Sequence, residues 1–387
     1  MFLNVTRNRN PKLIQSGMAL HQSGQIPPNT YVIDLDVLGE NVQALADCAK
    51  ENDFQLYFMS KQLGRLPYIA QFIKEDGISK AVAVDFDEAK TLADAGVKIG
   101  NVGHLVQPGK HQWNEVLSWN PEVVTVFSVE RAKQLSDAAI KRGMVQDVIV
   151  KVYRKDDLIY PGQEGGFLLD DLEEQLDDLV KLPGVKIVGA TTFPNFQLSA
   201  DKQKMEPISN FKTLLKAKVI LQEKGMKVEQ INGPSATSCE TIPFLARQGV
   251  THGEPGHALT GTTPLHAFRE DLPERPAIVY VTEVSHEDEE HFYVIGGGYY
   301  GRSHLTGCLV GSDEKSIFHQ YTHAVEPAPE AIDYYGAIEK PVNFSISIGD
   351  SAIFSFRTQV FVTRAHIALV KGIQSGNPEL VHFERKW

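Results

Sequence analysis

From about residue 30 to residue 262 the chain repeats one pattern, a short apolar run followed by a longer amphipathic stretch. The runs fall at 31–33, 55–59, 81–84, 101–106, 123–127, 148–152, 187–192, 230–232 and 251–253. Unbroken apolar runs alternating with helical segments read as parallel strands buried on both faces and joined by helical crossovers. Nine candidates are one more than a (β/α)₈ barrel needs. A barrel with one miscounted or flanking strand is more economical than an open sheet of that width. Past Pro264 the helical period fades, and 277–282, 291–295, 342–346, 351–356 and 360–363 read as strands of a mostly antiparallel β domain. The expected division is an N-terminal extension over 1–28, a (β/α)₈ TIM barrel over 29–265, and a C-terminal β domain over 266–387 into which the extension can fold. A length of 387 residues allows it, because a barrel takes roughly 250.

Charge narrows the partners. With 38 Lys and Arg against 49 Asp and Glu, the formal net charge is −11, and no basic run is long enough to neutralise a row of phosphates. Nucleic acid is therefore not expected. No stretch approaches the ~20 apolar residues that span a bilayer, and the opening MFLNVTRNRNPKLIQSG has no apolar core, so neither membrane insertion nor secretion is expected. Cys48, Cys239 and Cys308 lack CxxC or CxxH spacing, which leaves no disulfide framework and fits a cytoplasmic protein. A small-molecule partner remains.

Lys61 follows the second apolar run, and catalytic groups of such barrels emerge at the C-terminal ends of strands. A lysine that forms a Schiff base needs a partly desolvated position, since burial lowers the ammonium pKa and frees the nucleophilic amine. By itself a lysine after a strand is more often a solvated surface group. Three further segments stand beside it in the sequence. In Asn232-Gly233-Pro234-Ser235-Ala236-Thr237-Ser238, small residues permit close backbone approach, and Ser235, Thr237 and Ser238 offer hydroxyls to a phosphate, although Gly-Pro-Ser alone makes an ordinary turn. Gly253-Glu254-Pro255-Gly256-His257-Ala258-Leu259-Thr260-Gly261 and Ile295-Gly296-Gly297-Gly298-Tyr299-Tyr300-Gly301-Arg302 complete the set.

In order and spacing these segments resemble the fold-type III enzymes dependent on pyridoxal phosphate (PLP), the alanine racemases and their relatives. Tyr31-Val32-Ile33-Asp34-Leu35-Asp36, Leu56-Tyr57-Phe58-Met59-Ser60-Lys61 and Ala83-Val84-Asp85-Phe86-Asp87-Glu88-Ala89 match the opening of that barrel. The resemblance spans about residues 30 to 300 and is closest to the YhfX-like branch. It implies PLP held as a Schiff base on Lys61, with Ser235, Thr237 and Ser238 at its phosphate and Gly256 and His257 at a second phosphate contact. Glu254 would face the pyridine nitrogen, where the alanine racemases have Arg and the ornithine and diaminopimelate decarboxylases have Glu. A carboxylate there favours the protonated ring, which accepts carbanion electrons well. The family also implies a homodimer with shared active sites, in which Tyr299 or Tyr300 is a second base delivered across the interface. Core or interface packing is the other reading of both tyrosines.

The chain also departs from the alanine racemase pattern. No counterpart of the arginine that supports the cofactor oxygen stands in Val152-Tyr153-Arg154-Lys155, and Thr191-Thr192-Phe193 replaces the histidine beneath the ring. Cys308-Leu309-Val310-Gly311-Ser312-Asp313 is a loose echo of the decarboxylases' Cys and Asp. His304 with Cys308, and His319 with His323, supply two ligands each, too few to expect a metal. The expectation is an amino-acid racemase or epimerase in which Lys61 and a tyrosine move a proton on opposite faces of the substrate. The alternatives are a decarboxylase or β-eliminase using the same carbanion, with Cys308 as an added acid, and a non-catalytic PLP-binding protein.

Overall fold

The computed structural model describes residues 1–300, 303–328 and 330–386. It comprises two compact units, one made of Val42–Lys61 and Arg65–Gly256, the other of Met1–Asn41, Gln62–Gly64 and His257–Trp387.

The first unit is a parallel eight-stranded barrel. Around it the order is Gln55–Leu56, His252–Gly253, Gln230–Asn232, Val185–Thr191, Gln146–Tyr153, Val123–Val126, Lys98–Val102 and Lys80–Ala83. A parallel bridge from Phe58 to Ala81 closes the circle. Most of these strand residues are buried, as expected where helices cover the outside and side chains fill the lumen. The helices begin where side chains can satisfy free N–H groups. Asp85 accepts from Glu88 N at 2.9 Å, and Ser128 accepts from Arg131 N at 3.2 Å.

Strand packing leaves no room at Gly189, where an added Cβ would lie 1.5 Å from the Gln230 carbonyl oxygen. Neighbouring backbone cannot give way as a flexible side chain could. Gly189→Ala is expected to cost about 3 kcal/mol or more in a urea unfolding measurement.

At the N-terminal end of the barrel, Tyr57 donates to Glu122 at 2.9 Å, Lys80 pairs with the same carboxylate, and His252 Nε2 lies 3.8 Å away. Burial pushes the Glu122 carboxyl up, but hydrogen bonds from His252, Lys80 and Tyr57 outweigh it and hold the group at about 2, below its ordinary 4.5. A carboxylate whose folded pKa is depressed stabilises fully above the unfolded value and loses that contribution as pH falls toward the folded one. Because its side chain is 37% exposed, the contribution is discounted for screening to about 1–2 kcal/mol. Glu122→Gln should lose that much at pH 7, and the difference from the parent should vanish as pH falls from about 4.5 to 2.

The second unit is a nine-stranded, mostly antiparallel sheet. Its order is His291–Ile295, Tyr335–Glu339, Tyr321–Val325, Gly307–Gly311, Ser351–Phe354, Ile278–Glu287, Thr30–Asp34, His366–Lys371 and Glu379–Glu384. His291–Ile295 also pairs with Ile278–Glu287, so six strands close on themselves. The helices Phe2–Arg9 and Pro11–Gln22 cap this sheet, with Leu13, Ile14 and Met18 packed on Val32, Val279, Val281 and Ile353.

The run at 31–33 was expected to open the barrel; instead Thr30–Asp34 lies in this second sheet, antiparallel to Ile278–Glu287 and parallel to His366–Lys371. All five residues are buried. An unbroken apolar run suits the middle of a sheet covered on both faces as well as it suits a barrel. It is the ninth, flanking strand. In the β domain, 342–346 forms no strand, because Val342, Phe344 and Ile346 alternate without a sheet beside them and Val342 is fully exposed. Val360–Val362 is a 3₁₀ turn rather than a strand. Among the described residues, no helix is long and apolar enough to cross a membrane.

Candidate active site

Parallel pairing of Gln55–Leu56 with His252–Gly253 continues beyond both strands. Tyr57 N donates to Gly253 O at 3.0 Å, and Met59 N donates to Pro255 O at 2.8 Å. The chain approaching Lys61 therefore runs alongside Glu254 and Gly256 at the C-terminal end of the barrel. Lys61 is half-buried and starts the 3₁₀ turn Lys61–Leu63. A buried carboxylate anchors this corner. Ser60 Oγ donates to Glu88 Oε1 at 2.6 Å, Val84 N donates to Oε2 at 2.9 Å, and Arg65 Nε lies 3.5 Å from Oε2. Burial pushes the Glu88 carboxyl above its ordinary value, with Arg65 opposing.

Glu254 is buried in the lumen. Its Oε1 accepts from Asn232 Nδ2 at 2.6 Å and from Asn101 Nδ2 at 3.1 Å, although these amides come from strands that are not neighbours. Only a carboxylate pointing into the barrel can meet both. Thr125 Oγ1 donates to Asn101 Oδ1 at 2.8 Å and so fixes which way that amide faces. Glu254 Oε2 has no hydrogen-bond partner; His104 Nε2 is 3.4 Å from it. Burial lowers the His104 pKa, opposed by Glu254 and reinforced by Lys151 and Lys61, so its imidazole is neutral near pH 7.

The segment expected to hold a phosphate has an unusual backbone. Ser235 has φ 114° and Ala236 φ 49°, left-handed values that few residues other than glycine adopt. Asn195 holds the loop through Pro234 O at 2.8 Å. Ser235 Oγ accepts from Phe196 N at 3.4 Å, and Ser238 N donates to Thr241 Oγ1 at 3.1 Å. Thr237 Oγ1 accepts from Glu254 N at 3.0 Å and so joins the loop to the glutamate. Gly253 permits this contact, because a Cβ there would lie 2.8 Å from Thr237 Cγ2.

A further cation completes the barrel mouth. The pairs Lys151↔Thr191 and Thr191↔Asn232 set those three side chains in one row on the lumen face. Lys151 is 4% exposed, donates to Gln163 O at 2.8 Å, and lies 4.4 Å from the Phe127 ring centre. Among the described residues, no carboxylate pairs with it. Burial lowers its ammonium to about 8, with Glu164 opposing.

Glu254 Oε2, His104 Nδ1 and Thr191 Oγ1 are all buried without hydrogen-bond partners. Each such atom costs roughly 1–3 kcal/mol. A ligand that brings a ring N–H to Glu254, an anion to the loop, an anionic oxygen to Lys151 and an aldehyde to Lys61 fits this donor set.

The structure thus brings Lys61, Ser235, Thr237, Ser238, Glu254 and Gly256 into the barrel unit. His257 belongs to the other unit, with Nδ1 3.2 Å from Thr262 Oγ1 and Nε2 3.3 Å from Gln359 Nε2. So do both tyrosines. Tyr299 is boxed by the rings of Tyr280, Phe354 and Phe356 at 5.2, 5.5 and 6.4 Å, its hydroxyl lacks a partner, and burial pushes its pKa well up. Tyr300 donates from its hydroxyl to Arg357 O at 2.6 Å. Gly301 and Arg302 of that motif lie outside the described residues. Cys308 sits wholly buried in its strand, and burial raises its thiol pKa, which makes it a poor acid. Among the described residues, no group of three or more His, Cys, Asp or Glu could hold a metal ion.

Asn101, His104, Lys151, Thr191 and Asn232 were not anticipated as site residues. The available signal was a polar side chain near the C-terminal end of an otherwise apolar strand, as in KIGNV, VIVKV and QIN.

Comparison with known proteins agrees with the fold. A family model described as "Alanine racemase, N-terminal domain" matches residues 33–264, and one described as "YhfX-like, C-terminal domain" matches 279–380. The chain is 40% identical over 381 residues to "Uncharacterized protein YhfX" of Escherichia coli (strain K12), covering 98% of this chain and 97% of that one. Among solved structures, it is similar to alanine racemase of Clostridium difficile 630 (TM-score 0.66, 16% identity, 93% and 98% of the two chains). It is also similar to D-threo-3-hydroxyaspartate dehydratase of Delftia sp. HT23 (TM-score 0.65, 15% identity, 93% and 97% covered).

Proposed function

The chain belongs to the alanine racemase-like family with a YhfX-like C-terminal domain, and on that premise we propose that it is a PLP-dependent amino-acid racemase or epimerase. The observation that carries the proposal is Glu254, with one oxygen fixed by two amides and the other unsatisfied, beside the strand extension that ends at Lys61.

PLP supplies an aldehyde that condenses with amines and a ring that spreads negative charge away from the substrate α-carbon. Lys61 would hold the aldehyde carbon, and Glu254 the ring nitrogen. Ser235, Thr237 and Ser238 would hold the phosphate, with Gly256 and His257 as its second contact. Lys151 would face the phenolic oxygen, the role left open by the missing arginine. The Lys61 amine carries a proton to or from the α-carbon on one face of the substrate. Tyr299 or Tyr300 of the partner subunit in a homodimer serves the other, and Tyr299 has the uncommitted hydroxyl.

Glu254 also favours a second reading, since a carboxylate at the ring nitrogen suits decarboxylation or β-elimination equally well. Incubating the PLP-loaded protein with single amino-acid enantiomers in D₂O separates the two. Racemisation with α-deuterium incorporation supports the first; release of CO₂ or ammonia without racemisation supports the second. Inertness toward a broad panel would point to a non-catalytic PLP-binding protein.

Lys151→Met gives a further prediction. A buried lysine with a folded value of about 8 against 10.5 unfolded destabilises the protein below pH 8, and the cost disappears as pH rises past 10.5. The variant without cofactor should therefore be more stable than the parent at pH 7, by up to about 3 kcal/mol, and no more stable near pH 10.5. The same change should weaken PLP binding about tenfold or more, read by fluorescence titration.

A further inference from the structure

Glu254 has about four acceptor positions on its two oxygens, and protein amides fill two of them on Oε1. Oε2 is left with none filled, yet His104 Nε2 stands 3.4 Å away. His104, on the loop that follows Lys98–Val102, is in the barrel interior, 1% exposed, with its ring centre 6.1 Å from that of Phe193 and the two ring planes nearly perpendicular. The charged groups that act on it are Glu254, Lys151 and Lys61. Two lysines oppose an added proton on the imidazole, and burial opposes it more, so a neutral ring is the form this position holds. A neutral imidazole can carry its single hydrogen on Nε2.

We propose that His104 is a positioning residue for Glu254: its Nε2–H donates to Oε2, keeps that carboxylate ionised, and so lets the PLP ring nitrogen retain a proton. Oε2 then accepts twice, once from His104 and once from the ring N–H, and all four acceptor positions are used. No net proton enters or leaves; the hydrogen bond biases where an existing proton rests. A carboxylate that loses one of its donors becomes more basic, competes for the ring proton and leaves the nitrogen neutral. His104 does not itself touch the reacting atoms in this account.

The inference rests on the PLP reading and is tested so that the two fail separately. The parent protein, His104→Gln, His104→Leu and Glu254→Gln are loaded with ring-¹⁵N PLP, and the nitrogen chemical shift is followed across pH 6 to 9. The parent is expected to show a protonated ring nitrogen throughout. His104→Gln, which keeps a side-chain N–H, should stay close to the parent. His104→Leu should lose the ring proton at a pH at least one unit lower, with kcat falling about tenfold or more and KM changing little. Adding Glu254→Gln to His104→Leu should produce no further shift beyond Glu254→Gln alone. A His104→Leu nitrogen that titrates like the parent overturns this role and leaves the PLP assignment standing, as does a His104→Gln protein that behaves like His104→Leu. A parent protein that takes up no PLP overturns both.

Discussion

Replacing Lys61 with alanine is expected to reduce turnover by about 10⁴-fold or more while leaving the protein folded. On the proposed reading two functions leave together, the amine that holds the cofactor aldehyde and the group that moves the α-proton on its face, and proton transfer alone contributes roughly 10²–10⁴-fold. Folding should survive because the corner is held by other groups, notably Ser60 and Arg65 on Glu88. Far-UV circular dichroism and urea unfolding should match the parent. The PLP that remains should be bound reversibly and leave on gel filtration. A Lys61→Ala protein with parental turnover would remove the lysine from the mechanism.

Glu254→Gln should lower kcat by about 10²–10³-fold, the size associated with removing one preorganised charge from a buried site. Volume is conserved, and both Asn101 and Asn232 can still donate to the amide oxygen. The other side of the group changes character, because Nε2 offers hydrogens where Oε2 would accept them. A ring nitrogen facing that amide accepts a hydrogen bond instead of carrying a proton, and the ring withdraws less charge from the α-carbon. KM should change little, since the substrate does not contact this residue in the proposed arrangement. An unchanged kcat would show that the reaction does not need a protonated ring.

The barrel was legible because strands such as Val123–Val126 and the central part of Gln146–Tyr153 are buried on both sides and therefore appear in sequence as mostly apolar runs. The same property hid the place of Thr30–Asp34, whose burial between helices and aromatic side chains of the second unit yields an identical run. Short strands such as Gly307–Gly311 carry too few residues for a period to show, and Val342 to Ile346 shows a period without a sheet. Lys61, Glu254 and the proposed phosphate loop could be named from the sequence because each lies in a contiguous motif. The cage around Glu254 was not, since it exists only through barrel closure. Asn101 and Glu254 are 153 residues apart, and nothing local to KIGNV says that its asparagine will meet that oxygen. His104 and Lys151 share this property. Their proposed roles rest on strand register and on burial of an unmatched polar group, both of which are features of the folded chain.

One chemical bond carries the whole account, and reduction makes it permanent. The purified protein is incubated with PLP, treated with borohydride, digested and mapped by mass spectrometry. A phosphopyridoxyl group on Lys61, absent when Lys61→Ala is treated in parallel, is the expected result. Attachment at another lysine in both proteins, or no attachment in either, would contradict it.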